Sequence, residues 1–386
     1  MRKKKLVVYA LTAAMVLSLA GCGKETKKND KPAASTSNAA ATNAVANNLK
    51  DAFKDNFTVG AAVSSAKLQD EDIKKLVQEN FNSITMENEM KPESVLDWEG
   101  SETSKDGMPK IKTDVLDRAL SAAKDCGIKL RGHTLVWHSQ TPRWFFCKDY
   151  DDSKDLVSKS VMEKRMESYI KQVLTYCQDN YPGVVYAWDV VNEAMGDGGG
   201  YRTEGSGWYD IFGEEFIEKA FTYARKYAAD DVKLFLNDYN SYQAEKRNML
   251  FATASKLKEK NLIDGIGMQS HWDMDYPTVD SIQTTIEKFS ELEGIEIQLT
   301  EMDMHNADNS KEGLKAQADR YAEIFTMLKN MDKKAANITN VTFWGLSDED
   351  SWLSGFRGET SYPLLFDADY ERKPVYDSLL KVAAGK

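Results

Sequence analysis

At 386 residues the chain is longer than a typical single domain, although one α/β barrel reaches this size. A formal net charge of −11, with Lys and Arg scattered over predicted helix faces and no basic stripe, excludes the electrostatics of a nucleic-acid binder. The 8 Trp, 17 Tyr and 15 Phe exceed what a core of this size requires, and composition leaves packing and a ring-lined ligand cleft equally open.

The N-terminus reads as a targeting segment. Arg2, Lys3, Lys4 and Lys5 form a positive region, Leu6–Ala20 is apolar but too short to span comfortably, and Leu19-Ala20-Gly21-Cys22 follows. Small residues leading into a Cys resemble a bacterial lipobox, which implies cleavage before Cys22 and lipidation of that residue. An ordinary secretory signal with an incidental Cys is the alternative. Residues 1–21 are then a signal peptide, and losing its four cations takes the net charge from −11 to −15. Acyl chains rather than charge would hold such a protein at the extracellular side of the bacterial membrane. Residues 22–48, rich in Lys, Asn, Ala, Ser and Thr, carry almost no large apolar side chain and read as a flexible tether.

From Leu49 to the end, strand-like and helix-like segments alternate. The strand-like runs are Phe57–Val63, Phe81–Thr85, Ile128–Val136, Val184–Val191, Val232–Asn237, Gly265–Gln269, Ile295–Thr300 and Val341–Leu346. Between them helical periodicity covers Asp70–Glu79, Thr113–Cys126, Ser153–Asp179, Glu214–Ala229, Ala244–Lys260, Val279–Glu291 and Ser310–Met331, and Pro374 opens a last helix to about Val382. Continuous apolar runs suit parallel strands covered on both faces, and eight such units predict a single (β/α)8 TIM barrel over 49–386. An open doubly wound sheet is the alternative, but no glycine-rich phosphate loop follows the first strand. Cys126, Cys147 and Cys177 lack zinc-site spacing; Cys126 and Cys177 fall in predicted helices and read as buried free thiols, with a disulfide still open.

Catalytic groups of such barrels sit at the C-terminal ends of the strands. Glu193 closes Trp188-Asp189-Val190-Val191-Asn192-Glu193 after the fourth strand, and Glu301 ends Gln298-Leu299-Thr300-Glu301 on the seventh. Either alone reads as a surface carboxylate or a helix N-terminal charge. Two, with Asn192 adjacent to one and Asp303 near the other, are what glycosidic bond cleavage requires: one acid/base and one nucleophile or base. Other strand ends collect polar and aromatic residues. They are Glu87-Asn88-Glu89-Met90-Lys91-Pro92, Arg131-Gly132-His133 through Trp137-His138-Ser139-Gln140, Gln269-Ser270-His271, and Trp344 with Ser351-Trp352.

Together with Asn237-Asp238-Tyr239-Asn240 and Pro363-Leu364-Leu365-Phe366-Asp367, these motifs in this order resemble glycoside hydrolase family 10, the endo-β-1,4-xylanases. The likeness runs from about Leu49 to the C-terminus. It implies a retaining mechanism with Glu193 as acid/base and Glu301 as nucleophile, their carboxyl oxygens about 5–5.5 Å apart. It also implies support from Asn192 on the 2-hydroxyl, from His271 on the nucleophile, and from Gln269 and Asp303. Glu87, Asn88, Lys91, His133 and Gln140 would bind hydroxyls on the non-reducing side, with Trp137, Trp344 and Trp352 as walls. A non-proline cis peptide after His133 is a further implication, as are a monomeric enzyme, xylan or xylooligosaccharide as substrate, and no metal or organic cofactor. The glycine-rich stretch Met195–Ser206 and the end of the third helix, Cys177–Gly183, are longer than the family pattern, which puts the leaving-group subsites in doubt. A cellulase or mixed-linkage glucanase on a related barrel, and a non-catalytic sugar-binding lipoprotein, are the competing readings.

Overall fold

The computed structural model describes residues 46–332 and 336–386; the expected signal peptide, Cys22 and almost all of the tether lie outside the described residues. Eight strands form the core: β1 Thr58–Ala62, β2 Ser83–Thr85, β3 Lys129–Trp137, β4 Val185–Asn192, β5 Lys233–Asp238, β6 Gly265–Met268, β7 Glu296–His305 and β8 Ile338–Phe343. Each pairs in parallel with the next. β8 returns to β1 with Thr58 opposite Asn340 and Ala61 opposite Phe343, so the sheet is closed and the open-sheet alternative is removed.

The matching helices are α1 Glu71–Asn80, α2 Thr113–Asp125, α3 Lys159–Asn180, α4 Glu215–Tyr227, α5 Ala244–Glu259, α6 Val279–Ser290, α7 Lys311–Asp332 and α8 Pro374–Ala383. Their starts are chemically marked. The Asp70 carboxylate accepts from the Asp72 and Ile73 amides at 2.9 and 3.2 Å, the Thr278 hydroxyl caps α6, and Pro374 occupies the first turn of α8. Each helix turns an apolar stripe to the barrel. On α7, Tyr321, Ile324, Phe325 and Leu328 are fully buried, and Phe325 stacks on Phe343 of β8 with ring centroids 6.0 Å apart.

Three elements differ most from the sequence reading. β7 runs on to His305, so Glu301 lies within the strand rather than at its end, because Asp303–His305 pair in parallel with His271–Asp273 beyond β6. β8 begins and ends three residues earlier than the apolar run, because Asn340 points into a polar layer of the barrel, donating to Thr58 Oγ1 at 2.8 Å and Ser83 Oγ at 3.1 Å. The strand stops at Phe343 ahead of Gly345, whose φ of +138° turns the chain. α3 starts at Lys159 rather than Ser153: the Asp151 carboxylate takes the Ser153 amide at 2.9 Å into a turn, and Leu156 bridges to Cys147. Cys126 and Cys177 are free and buried, as expected, and Cys147, for which the sequence carries no assignment, is free and buried too.

Candidate active site

Glu193 and Glu301 lie on opposite sides of a pair of strands whose ends carry amides. Asn237 at the end of β5 sits opposite Asn192 of β4 in register. Its Nδ2 donates to Glu301 Oε1 at 2.7 Å and to Asn192 Oδ1 at 2.9 Å, while its Oδ1 accepts from Thr300 Oγ1 at 2.6 Å. Both protons and the oxygen of that amide are thereby engaged, which fixes which end is nitrogen. Gln269, just past β6, closes the circuit: its Nε2 donates to Glu193 Oε1 at 2.9 Å and to Asn192 Oδ1 at 3.1 Å. Backbone bonds hold the same ends, with Glu193 N to Asn237 O and Glu301 N to Gln269 O both at 2.9 Å. Gly267 makes room for this layer, since a Cβ there would lie 2.2 Å from Asn237 Oδ1.

Glu301 is buried, and His271 Nε2 reaches its second oxygen at 3.3 Å. The other His271 nitrogen sits 2.8 Å from Asp303 Oδ1, and Asp303 Oδ2 accepts from Trp352 Nε1 at 2.9 Å. Burial alone would push the Glu301 carboxyl up. His133, the His271 hydrogen bond and charge, and the Asn237 amide outweigh it and hold the carboxyl down at about 2. Burial likewise works against the His271 imidazolium, but the charges and hydrogen bonds of Asp303 and Glu301 raise it to about 10. Trp352 is therefore tied to the carboxylate chain behind the nucleophile, with its ring 5.0 Å from that of His271.

The floor is charged. Arg131 and Asp189 are almost wholly excluded from solvent and form a two-pronged pair, and Arg131 Nε also donates to Gln298 Oε1 at 2.9 Å. His133 Nδ1 lies 2.9 Å from Asp189 Oδ2 and 3.9 Å from Glu301 Oε1, and the peptide after His133 is cis. Trp344 meets the His133 ring edge-on at 5.4 Å. Beside this floor, Lys91 Nζ donates to Asn88 Oδ1 and Gln140 Oε1, both at 3.0 Å, and stands 5.2 Å from the centre of the Trp137 ring. Burial depresses the Lys91 ammonium while Glu301, Glu87 and Glu193 pull it back. Glu87 is half-buried, and that burial, opposed by Lys91, raises its carboxyl. The residues expected at strand ends two, three and eight thus converge on one side of the mouth.

Several residues of the site have no role that the sequence alone assigns. Asn237 is one. His138 is another: its Nδ1 has no hydrogen-bond partner, lies 3.8 Å from Glu193 Oε2, and belongs to a ring that burial and the Arg202 and Lys246 charges push down to about 4. The long connection after Glu193 folds back on itself, Met195 bridging to Tyr201, and Arg202 Nε donates to the Glu193 carbonyl at 3.1 Å. Fully buried Lys246 clamps it, pairing with Asp238 at 2.9 Å and Asp197 at 3.2 Å. The Phe145–Phe146 pair packs on Trp208, Cys147 beside it is buried, and His305 ends β7 bonded to Ser361 at 3.0 Å and Glu359 at 3.2 Å.

A closed parallel barrel with paired glutamates after its fourth strand and on its seventh defines a glycoside hydrolase of the (β/α)8 class. Within that class the chain belongs to glycosyl hydrolase family 10, whose model matches residues 48–382. It is 47% identical over 341 residues to endo-1,4-beta-xylanase B of Butyrivibrio fibrisolvens, spanning 87% of this chain but only 53% of that relative. It is also 47% identical to a putative endo-1,4-beta-xylanase of Caldicellulosiruptor saccharolyticus, over 76% of this chain and 96% of that one. Among solved structures, the CBM22-1–GH10 modules of Clostridium thermocellum xylanase 10B, complexed with xylohexaose, superpose with a TM-score of 0.78 at 38% identity, covering 86% of this chain and 67% of that one. A mutant of the intracellular xylanase from Thermoanaerobacterium saccharolyticum, in complex with xylotriose, gives 0.76 at 38% identity, covering 86% and 97%.

Proposed function

We propose that the chain is a retaining endo-1,4-β-xylanase that cuts internal xylosidic bonds of xylan or xylooligosaccharides. The observation that carries the reading is the amide bridge Gln269–Asn192–Asn237 linking Glu193 to a Glu301 carboxylate held at about 2. The relatives' names and the xylooligosaccharide complexes of similar structures support the substrate class.

In the first step ionised Glu301 attacks the anomeric carbon. The glycosidic C–O bond breaks, and the Glu193 proton passes to the leaving oxygen. Asn192 meets the 2-hydroxyl, a contact that strengthens as charge develops on the sugar ring. Esterification removes the negative charge of Glu301. In the second step Glu193 takes a proton from water, the water oxygen attacks the same carbon, and the Glu301 carboxylate departs. Glu87, Asn88, Lys91, His133 and Gln140 hold the non-reducing side between Trp137, Trp344 and Trp352. Side-by-side assays on xylan and carboxymethylcellulose test the substrate class, and a clear preference for the glucan overturns it.

For location the reading is a monomeric domain carried on a lipid at Cys22, after cleavage of residues 1–21, on the outer side of the cell membrane. The Leu19-Ala20-Gly21-Cys22 pattern supports it, and no helix among the described residues is long and apolar enough to cross a membrane. Cys22→Ala should release the protein into the medium; unchanged membrane retention would contradict lipidation.

A further inference from the structure

Among the described residues four large hydrophobic side chains are exposed: Trp98, Val161, Tyr276 and Phe356. Val161 lies on α3, but all three aromatic ones belong to connections leaving the C-terminal ends of barrel strands β2, β6 and β8. Scattered exposed rings need no explanation; three rings confined to the end of the barrel that holds Glu193 and Glu301 suit a long sugar chain crossing that end. Trp98 and Phe356 have visible partners. The Trp98 indole donates to the Tyr150 carbonyl at 3.0 Å, and Phe356 packs 4.8 Å from Trp352.

Tyr276 is partnered by a ring from the end of the neighbouring strand. It is 52% exposed and meets Tyr242 edge-on at 5.0 Å. Tyr242 follows β5 and is pinned by its hydroxyl, which donates to Asn240 Oδ1 at 2.9 Å. The Tyr276 turn is pinned as well: the Asp273 amide donates to the Tyr276 carbonyl at 2.8 Å, and Arg357 holds the Asp273 carboxylate at 2.6 Å. Two ordered rings therefore stand where β5 and β6 end. The non-reducing cluster of Glu87, Lys91 and Gln140 is built on β2 and β3, across the mouth. A linear β-1,4 chain held there with its scissile bond at Glu193 has to leave over β5 and β6.

We propose that Tyr276, braced by Tyr242, is a sugar-stacking subsite for a distal xylose unit of the leaving chain, at least one unit beyond the residue released at the cut. The inference rests on the xylanase reading and adds a length preference to it. A rigid ring offers apolar area to a pyranose face at low entropic cost. Binding energy gained so far from the cut is available only to substrates long enough to reach it.

The test compares reducing-end-labelled xylohexaose with an aryl β-xylobioside, whose leaving group ends before the subsite. Tyr276→Ala should lower kcat/KM on xylohexaose by roughly tenfold. It should shift cleavage towards the labelled end and leave the aryl xylobioside within about twofold. Tyr276→Phe should keep the parent pattern. An unchanged bond distribution and kcat/KM on xylohexaose, or equal losses on both substrates, would overturn the subsite. A parent enzyme that cleaves neither substrate would overturn the xylanase reading and this inference with it, and is told apart by failing before any variant is made.

Discussion

The Asn237 amide donates to Glu301 Oε1 at 2.7 Å and is itself oriented by Thr300, the residue preceding that glutamate. The hydrogen bond favours the ionised carboxylate and fixes its direction at once. Because the same Nδ2 reaches Asn192, an error at position 237 spreads to both catalytic strands. Asn237→Ala should cut kcat/KM on xylan by about 10²-fold, the scale of a lost preorganised donor, while leaving the melting temperature within a few degrees. A loss below threefold would show that Asn237 only fills space.

Glu301 and His271 predict opposite limbs of the pH behaviour. Glu301 sits at about 2 against an ordinary 4.5 because its partners outweigh burial. Removing His271 subtracts a hydrogen bond and a charge and leaves burial less opposed. In His271→Ala the acid limb of kcat/KM should therefore move to higher pH, by about one unit or more. A limb that stays in place would contradict the assignment of His271 as the group that keeps the nucleophile ionised.

His271 itself is raised from 6.5 to about 10, chiefly by Asp303 acting against burial. A raised folded value means that its stabilisation is complete below about 6.5 and is lost as pH climbs through about 10. Thermal midpoints of the parent should fall across that alkaline window, and Asp303→Asn should flatten the fall. Parallel slopes in the two proteins would argue against the pair.

Arg131 and Asp189 are a buried ion pair at the base of the site. Asp189→Ala leaves a guanidinium without its partner and frees His133, so it should cost about 3–5 kcal/mol of stability. Denaturant unfolding measures it; a cost under about 1 kcal/mol would mean that water or Gln298 satisfies Arg131 instead.

The barrel is legible because its signals are local. Apolar runs, capped helices and Pro374 each report on their own neighbourhood, and the register of eight units follows from counting. The apolar run misplaces β8 by three residues because Asn340 is polar yet faces inward, a choice set by Thr58 and Ser83 far away in sequence. In the sequence Glu193 and Glu301 stand out because they close apolar runs, but Asn237 and His138 do not: the glutamates they face lie 64 and 55 residues away and become neighbours only when the barrel closes. The family resemblance marks Trp352 as a wall, whereas its N–H donates to Asp303 Oδ2. A single side chain can do both, and sequence shows neither bond.

The division of labour between Glu193 and Glu301 is tested most directly by azide rescue of Glu193→Ala acting on an activated aryl β-xylobioside. With the nucleophile intact, Glu301 forms the covalent intermediate and azide replaces water in the second step, so turnover should be restored with a β-xylobiosyl azide as product. An α-azide from the same variant would mean that the two glutamates have exchanged roles.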